Sequence, residues 1–210
     1  MDPASSGEFA WPAGRRHHSN SPLAVAAVSG VLAGIAAKAA DESGHRWAAD
    51  LGSYPAAWVL AVALIGWSAP SGRAAAVRAA VFFAAMTVAY YAWAALVLHF
   101  GWNVRLLIAW LLLSVSAVPA TAVAAHWSTR RSGWLPGALL AMAAAITLGG
   151  GALGNAGGHP VQAVADVVVA VLLVAVLPRD GRTRIWAVGL TLPSTWGAAQ
   201  LLDVLRALLR

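Results

Sequence analysis

Residues 22–50 read PLAVAAVSGVLAGIAAKAADESGHRWAAD, and this stretch decides the class of fold. From Pro22 to Ala40 it is almost wholly apolar and, as a helix rising about 1.5 Å per residue, long enough to cross the hydrocarbon core of a bilayer. Lys38 then stands one turn before Asp41 and Glu42, and His45, Arg46 and Asp50 come before the next apolar run. In a chain of 210 residues that is 60% hydrophobic and only 10% charged, so many ionisable groups in one connection need a reason.

Working outward, the composition predicts an all-α integral membrane protein: a bundle of six, or with a broken last span seven, transmembrane helices plus a C-terminal amphipathic helix. Mean hydropathy is +0.70 and there are 11 tryptophans. Residues 21–210 form one helical membrane domain in this reading. Residues 1–20 are polar, lack an apolar periodicity and read as disordered, and MDPASSGEF has the character of a vector remnant. Cysteine is absent, which excludes disulfides, thiolate zinc and cysteine nucleophiles. The net charge of +6 comes from arginines beside the apolar runs, which favours membrane lipid over nucleic acid as a partner.

In the first span, Gly30 and Gly34 form a GxxxG pair beside Ala33 and Ala37. Such a face allows close helix approach, either inside the bundle or against a membrane partner. The second span, Tyr54 to Ala69, is short and ends at Pro70-Ser71-Gly72. The third runs from Ala74 to Leu98. The fourth, Val104 to Ala125, carries Pro119, which predicts a kink. The fifth is Leu135 to Gly154, and the sixth, Val161 to Leu177, contains Asp166. Pro193 is expected to interrupt the last apolar run, and Gln200, Asp203, Arg206 and Arg210 make a polar stripe on an interfacial helix.

Charge orients such a bundle. Six spans would put Arg15, Arg16, Arg73, Arg78, Arg130, Arg131, Arg179, Arg182 and Arg184 on one side and Lys38, Arg46 and Arg105 on the other. The first side, with the amino terminus, is then cytoplasmic. The outward side collects polar groups from three connections: Lys38 to Asp50; His99, Trp102, Asn103 and Arg105; and Asn155 with His159. His159, Gln162 and Asp166 share one helical face, with Asp166 about 10 Å along the axis from His159.

Several of these residues are candidates for chemistry. A carboxyl inside an apolar span costs roughly 2.5 to 3.5 kcal/mol on insertion scales, so Asp166 is either functional or paired with Lys38 or Arg105. Lys38 with Asp41 or Glu42 is either part of a catalytic group with Asp166 and His159 or a helix-end ion pair. Tyr90, Tyr91, Trp58, Trp93 and Trp110 read as an aromatic wall for an apolar ligand or as packing. His99, Arg105, Asn155 and Gln162 complete the candidate binding set. His45, His99 and His159 lack a tight ligand spacing such as HxxxH, and no metal is expected. No phosphate loop is present and no cofactor is expected.

The run GVLAGIAAKAADESG, then DLGSYPAAWVL, then SAPSGRAAAVRAAVFFAAMTVAYYAW, and a tryptophan-bearing span with Pro119 before Trp127, resembles a family of small bacterial multi-pass proteins of unknown function. The resemblance covers residues 28–127. It implies that Lys38, Asp41, Trp58, Phe82, Phe83, Met86, Tyr90, Tyr91 and Pro119 belong to the family's pattern, and it implies a bacterial cytoplasmic membrane. It implies no activity.

Two functions compete. One is an intramembrane enzyme using acid–base chemistry on a lipid-like or isoprenoid substrate, in its most concrete form resembling a terpene cyclase, with Asp166 as proton donor. The other is the substrate-binding subunit of an uptake transporter for a small amphiphile, with the Gly30/Gly34 face docking its partner. A scaffold or regulator without a small ligand is a third reading.

Overall fold

The computed structural model describes residues 21–53, 55–149 and 158–208. The N-terminal segment, Tyr54 and Asn155 lie outside them, as do the side chains of Asp203, Arg206 and Arg210 on the expected polar stripe. The described residues form helices joined by short connections, with no strand among them: α1 (Pro22–Glu42), α2 (Arg46–Ser53), α3 (Pro55–Ser68), α4 (Gly72–Ala92), α5 (Val104–Val115), α6 (Ala117–Ser128), α7 (Trp134–Gly149), α8 (Pro160–Val171) and α9 (Gly181–Leu208). Single π turns prolong α4 through Trp93–Val97 and α8 through Leu172–Val176. Among the described residues, three helices are long and apolar enough to span a membrane: Pro22–Glu42, Gly72–Val97 and Val104–Ser128. Ala56–Ser68, Trp134–Gly149 and Pro160–Val176 are apolar but shorter.

The two glycines of α1 set the architecture. A Cβ on Gly30 would lie 2.2 Å from the Phe82 carbonyl oxygen, and one on Gly34 would lie 2.2 Å from that of Met86. The GxxxG face is thus taken up by α4 of the same chain, and a partner protein could use it only by displacing α4. The contacts 30 to 82 and 34 to 86 advance together, so α1 and α4 run parallel. The chain must return between them, and α3 does so. Gly66 of α3 approaches the Ala122 carbonyl of α6 in the same way, and Gly137 of α7 sits under Thr183, Trp186 and Ala187 of α9.

Small residues fill the interior: Ala63, Ala75, Ala79, Ala122, Ala141, Ala144 and Ala187 are buried. Apolar side chains cover the exterior, including Val28, Leu32, Leu112, Val164, Ile185 and Leu192, which is the inversion a lipid solvent favours.

Ser71 begins α4 by accepting from the Ala74 N–H, as the Pro70-Ser71-Gly72 break predicts. The expected kink at Pro119 falls elsewhere: the helix breaks at Ser116, where φ is −123° and ψ is −85°. A proline ring collides with the carbonyl four residues earlier, here that of Val115, so the disruption lies one turn before the proline. Ser116 Oγ then donates to the Leu112 carbonyl. Pro193 is a correction, since α9 continues through it. Thr191 and Thr195 hydroxyls bond the Ala187 and Thr191 carbonyls across the region.

One end of the bundle therefore carries the C-terminus of α1, all of α2 and the N-termini of α3, α5 and α8. The other gathers Arg73, Arg130, Arg131, Arg179, Arg182 and Arg184. There Arg130 donates to the Ala69 carbonyl at 2.7 Å and the His126 carbonyl at 3.1 Å, tying the ends of α3 and α6 together.

Candidate functional site

Lys38 is placed by the same parallel packing that places Gly30 and Gly34, one turn further along the face that meets α4. It is only 8% exposed. Its ammonium donates to Glu42 Oε1 at 2.6 Å and lies 5.3 Å from the Tyr90 ring centroid and 5.2 Å from that of Phe100. Tyr90, on the facing turn of α4, donates its hydroxyl to Asp41 Oδ2 at 2.5 Å. Tyr91 stands edge-on to Tyr90, with ring centroids 5.2 Å apart. The sequence neighbours Lys38, Asp41 and Glu42 thus divide their work: one acid neutralises the lysine and the other holds a tyrosine.

Two cavities share these tyrosines, and a third shares aromatic walls with the second of them. An open mouth of about 700 Å³ is lined by Lys38, Tyr90, Tyr91, Phe100, Asn103 and Arg105, among others. Behind it an aromatic cavity of about 140 Å³ is walled by Trp58, Phe83, Met86, Tyr90, Tyr91 and Trp110. Trp58, Phe83 and Trp110 also wall an apolar groove of about 310 Å³, which runs along Leu113, Ala117 and Val118 past the α5–α6 break to Thr121. Tyr90 and Tyr91 join the first pair of cavities, and the three indole and phenyl rings join the second. The rings of Phe83 and Trp110 are 6.1 Å apart. The three cavities adjoin through these shared wall residues, with cationic groups at the first and apolar walls at the third.

The other expected residues fall into a different cluster. His159 Nδ1–H donates to Asp50 Oδ1 at 2.8 Å, linking the start of α8 to α2. Gln162 and Asp166 lie further along the same face of α8, 3% and 0% exposed. With Asp50, Ala56, Ala57 and Leu60 they line a cavity of about 170 Å³. The candidate set Asp166, Lys38, Asp41, Glu42 and His159 is therefore two groups, and no side chain lines both the aromatic cavity and this one. The pairing of Asp166 with Lys38 or Arg105 does not occur: neither Asp166 oxygen has a hydrogen-bond partner. The cause is topological, because α1 packs on α2 and α4 whereas α8 packs on α2, α3 and α7.

Trp93 belongs to the π turn, and His99 is exposed in the left-handed region at φ 57°; neither lines these cavities. Among the described residues no group of three or more His, Cys, Asp or Glu side chains could hold a metal ion. Asp50 and Phe100 join the two sites without standing among the residues expected there. Asp50 carries a readable signal, an acid on a short helix facing apolar runs, and Phe100 carries none.

The fold and these cavities define a helical bundle with membrane-compatible helices and two internal sites at one end. The chain belongs to the family of unknown function DUF6518, whose pattern matches residues 13–208 and so extends well beyond the stretch of resemblance to include α7, α8 and α9. No curated protein and no solved structure matches it.

Proposed function

We propose that the chain is an intramembrane enzyme acting by proton transfer on an amphiphile with an anionic head and an apolar, lipid-like or isoprenoid tail. The observation that carries this reading is the succession of adjoining cavities from Lys38 and Arg105, by way of the aromatic cavity, to the apolar groove along α5 and α6. An anionic head would meet the lysine and arginine at the mouth, and the tail would lie against Trp58, Phe83 and Trp110. Tyr90 stands where head and tail would join. Its hydroxyl would relay a proton from the substrate to the Asp41 carboxylate, which would return it at another atom of the substrate, and the Lys38 ammonium would stabilise the negative charge held by the substrate in between.

The same reading takes six apolar helices as alternating crossings and the arginine-rich end as cytoplasmic, which puts the mouth on the outer side of the membrane. A reporter fused at Arg131 would then be active only in a cytoplasmic assay.

The test is mass spectrometry of molecules that remain with protein purified in mild detergent. Wild type and Asp166→Asn should retain one anionic amphiphile, Lys38→Ala and Trp110→Ala should lose it, and Tyr90→Phe should retain it but not convert it. If all five carry only the bulk lipids of the host, the reading fails.

A further inference from the structure

Of the 14 lysine and arginine residues in the chain, Lys38 is the sole lysine. A guanidinium stays charged in a protein and does not attack carbonyl compounds, whereas an ammonium can give up a proton and react as an amine. The remaining positions are arginine, Arg105 in the same mouth among them, so a need for charge alone is met by arginine everywhere else. The single amine side chain stands beside the aromatic cavity.

Its surroundings suit amine chemistry. The Lys38 nitrogen lies 2.6 Å from Glu42 Oε1, 5.3 Å from the centre of the Tyr90 ring and 5.2 Å from that of Phe100, and both rings line the open mouth. The nitrogen is therefore at the mouth, between two of its walls, although the side chain keeps only 10% of its surface exposed. Glu42, 39% exposed, is a proton acceptor one turn away. Aromatic faces on either side stabilise a cation and keep water from it. These are the conditions under which a protonated imine persists: a carboxylate counter-ion, aromatic cover and little water.

We infer that Lys38 condenses with an aldehyde or ketone carbonyl of the amphiphile and holds it as a Schiff base. The inference rests on the function proposed above and names the group on which its proton transfer turns. Glu42 takes one proton from the ammonium; the free amine adds to the carbonyl carbon and passes a proton to its oxygen. The carbinolamine hydroxyl then leaves as water with the proton that Glu42 returns. One ammonium and one carbonyl thus give one protonated imine and one water, with Glu42 again a carboxylate and no oxidant or reductant involved. The positive nitrogen acidifies the C–H beside the former carbonyl carbon. Removal of that proton through Tyr90 to Asp41 leaves a neutral enamine, so the imine takes up the negative charge. Reprotonation at another carbon and hydrolysis release the product and Lys38. Arg105 remains to meet the anionic group, and Trp58, Phe83 and Trp110 the tail.

The test uses the full chain in phosphatidylcholine nanodiscs, with dodecanal as probe, cyanoborohydride to reduce any imine, and peptide mapping by mass spectrometry. With one lysine in the chain, the amino terminus is the only other primary amine, and digestion separates the two. Dodecanal should label Lys38 with a rate that saturates. The double variant Lys38→Arg with Val97→Lys carries its amine at a position that is 50% exposed, at the same end of the bundle and in the same bilayer concentration of aldehyde. Its labelling should be slower by about tenfold or more and should not saturate. No adduct at Lys38, or one that forms no faster than at position 97, overturns the inference. Reduction of wild type as purified should also fix the retained amphiphile to Lys38. A retained amphiphile that stays extractable after reduction overturns the inference and leaves the proposed function standing. Retention of bulk lipids alone, with dodecanal trapped as expected, overturns that function and leaves Lys38 as a Schiff-base site.

Discussion

The Tyr90 hydroxyl donates to the Asp41 carboxylate at 2.5 Å, joining α4 to the last turn of α1 at the rim of the aromatic cavity. The two residues are 49 positions apart, and their meeting depends on the parallel alignment that Gly30 and Gly34 allow. A hydrogen bond to a charged acceptor contributes about 1.5 to 3 kcal/mol. Tyr90→Phe and Asp41→Asn should therefore each lower stability, and the double variant should cost less than their sum by about 1 to 3 kcal/mol. Denaturation of the four proteins in one detergent measures the difference; additive losses would show that the bond is not formed.

The glycines make a sharper demand. With a Cβ at Gly30 or Gly34 placed 2.2 Å from a backbone oxygen of α4, even alanine must push the helices apart. Overpacking of this kind costs about 1 to 3 kcal/mol. Gly34→Ala should also widen the gap between Lys38 and Tyr90 just beyond it. The expected result is a lower unfolding midpoint for either alanine variant, whereas Val28→Ala on the exposed face of α1 should leave the midpoint within error of wild type.

At the opposite end, Asp180 caps α9. It accepts from the Thr183 backbone N–H at 2.8 Å and from the Thr183 hydroxyl at 2.7 Å, and that hydroxyl in turn accepts from Gly133 N–H ahead of α7. The backbone bond, then the hydroxyl bond, hold the Asp180 carboxyl below its ordinary value. A carboxyl with a lowered folded pKa stabilises the fold fully above the unfolded value of about 3.9 and loses that contribution as pH falls through the folded value. Wild type should lose more stability than Asp180→Asn between about pH 5 and the folded pKa, as read from unfolding midpoints across that range. Parallel pH curves for the two would sink this assignment.

These elements differ in how far the sequence discloses them. Pro55, Pro70-Ser71-Gly72 and the GxxxG pair act through local chemistry, so the limits of α3, the start of α4 and a close-packed α1 are readable. The passage of α9 through Pro193 is not, because a proline in an apolar run reads locally as a break, and whether the helix continues depends on the packing of α9 along α7 rather than on its own residues. Tyr90, Tyr91, Trp58 and Trp110 are recognisable as a wall by type, and Lys38 with Asp41 and Glu42 as a cluster. Their division from Asp166 and His159 is hidden, since it depends on which helix α8 packs against. Asp50 meets His159 across 109 positions, a distance no periodicity reports.

Pro119 offers the last test, because it shapes both helix and groove. Its ring denies a hydrogen bond to the Val115 carbonyl and opens the chain at Ser116, where Leu113, Ala117 and Val118 line the apolar groove. Pro119→Ala restores the missing N–H, so α5 and α6 should join into one helix. The chain has no cysteine, so spin labels at Arg105→Cys and Val123→Cys report without background. A continuous helix would separate the two backbone positions by about 27 Å at 1.5 Å per residue, and the broken one should be measurably shorter. Pulsed electron–electron distances should therefore lengthen in Pro119→Ala, and the retained amphiphile should fall as the groove narrows. An unchanged distance would mean that Ser116, whose hydroxyl donates to the Leu112 carbonyl, holds the break by itself; Ser116→Ala in the same labelled pair should then straighten the helix.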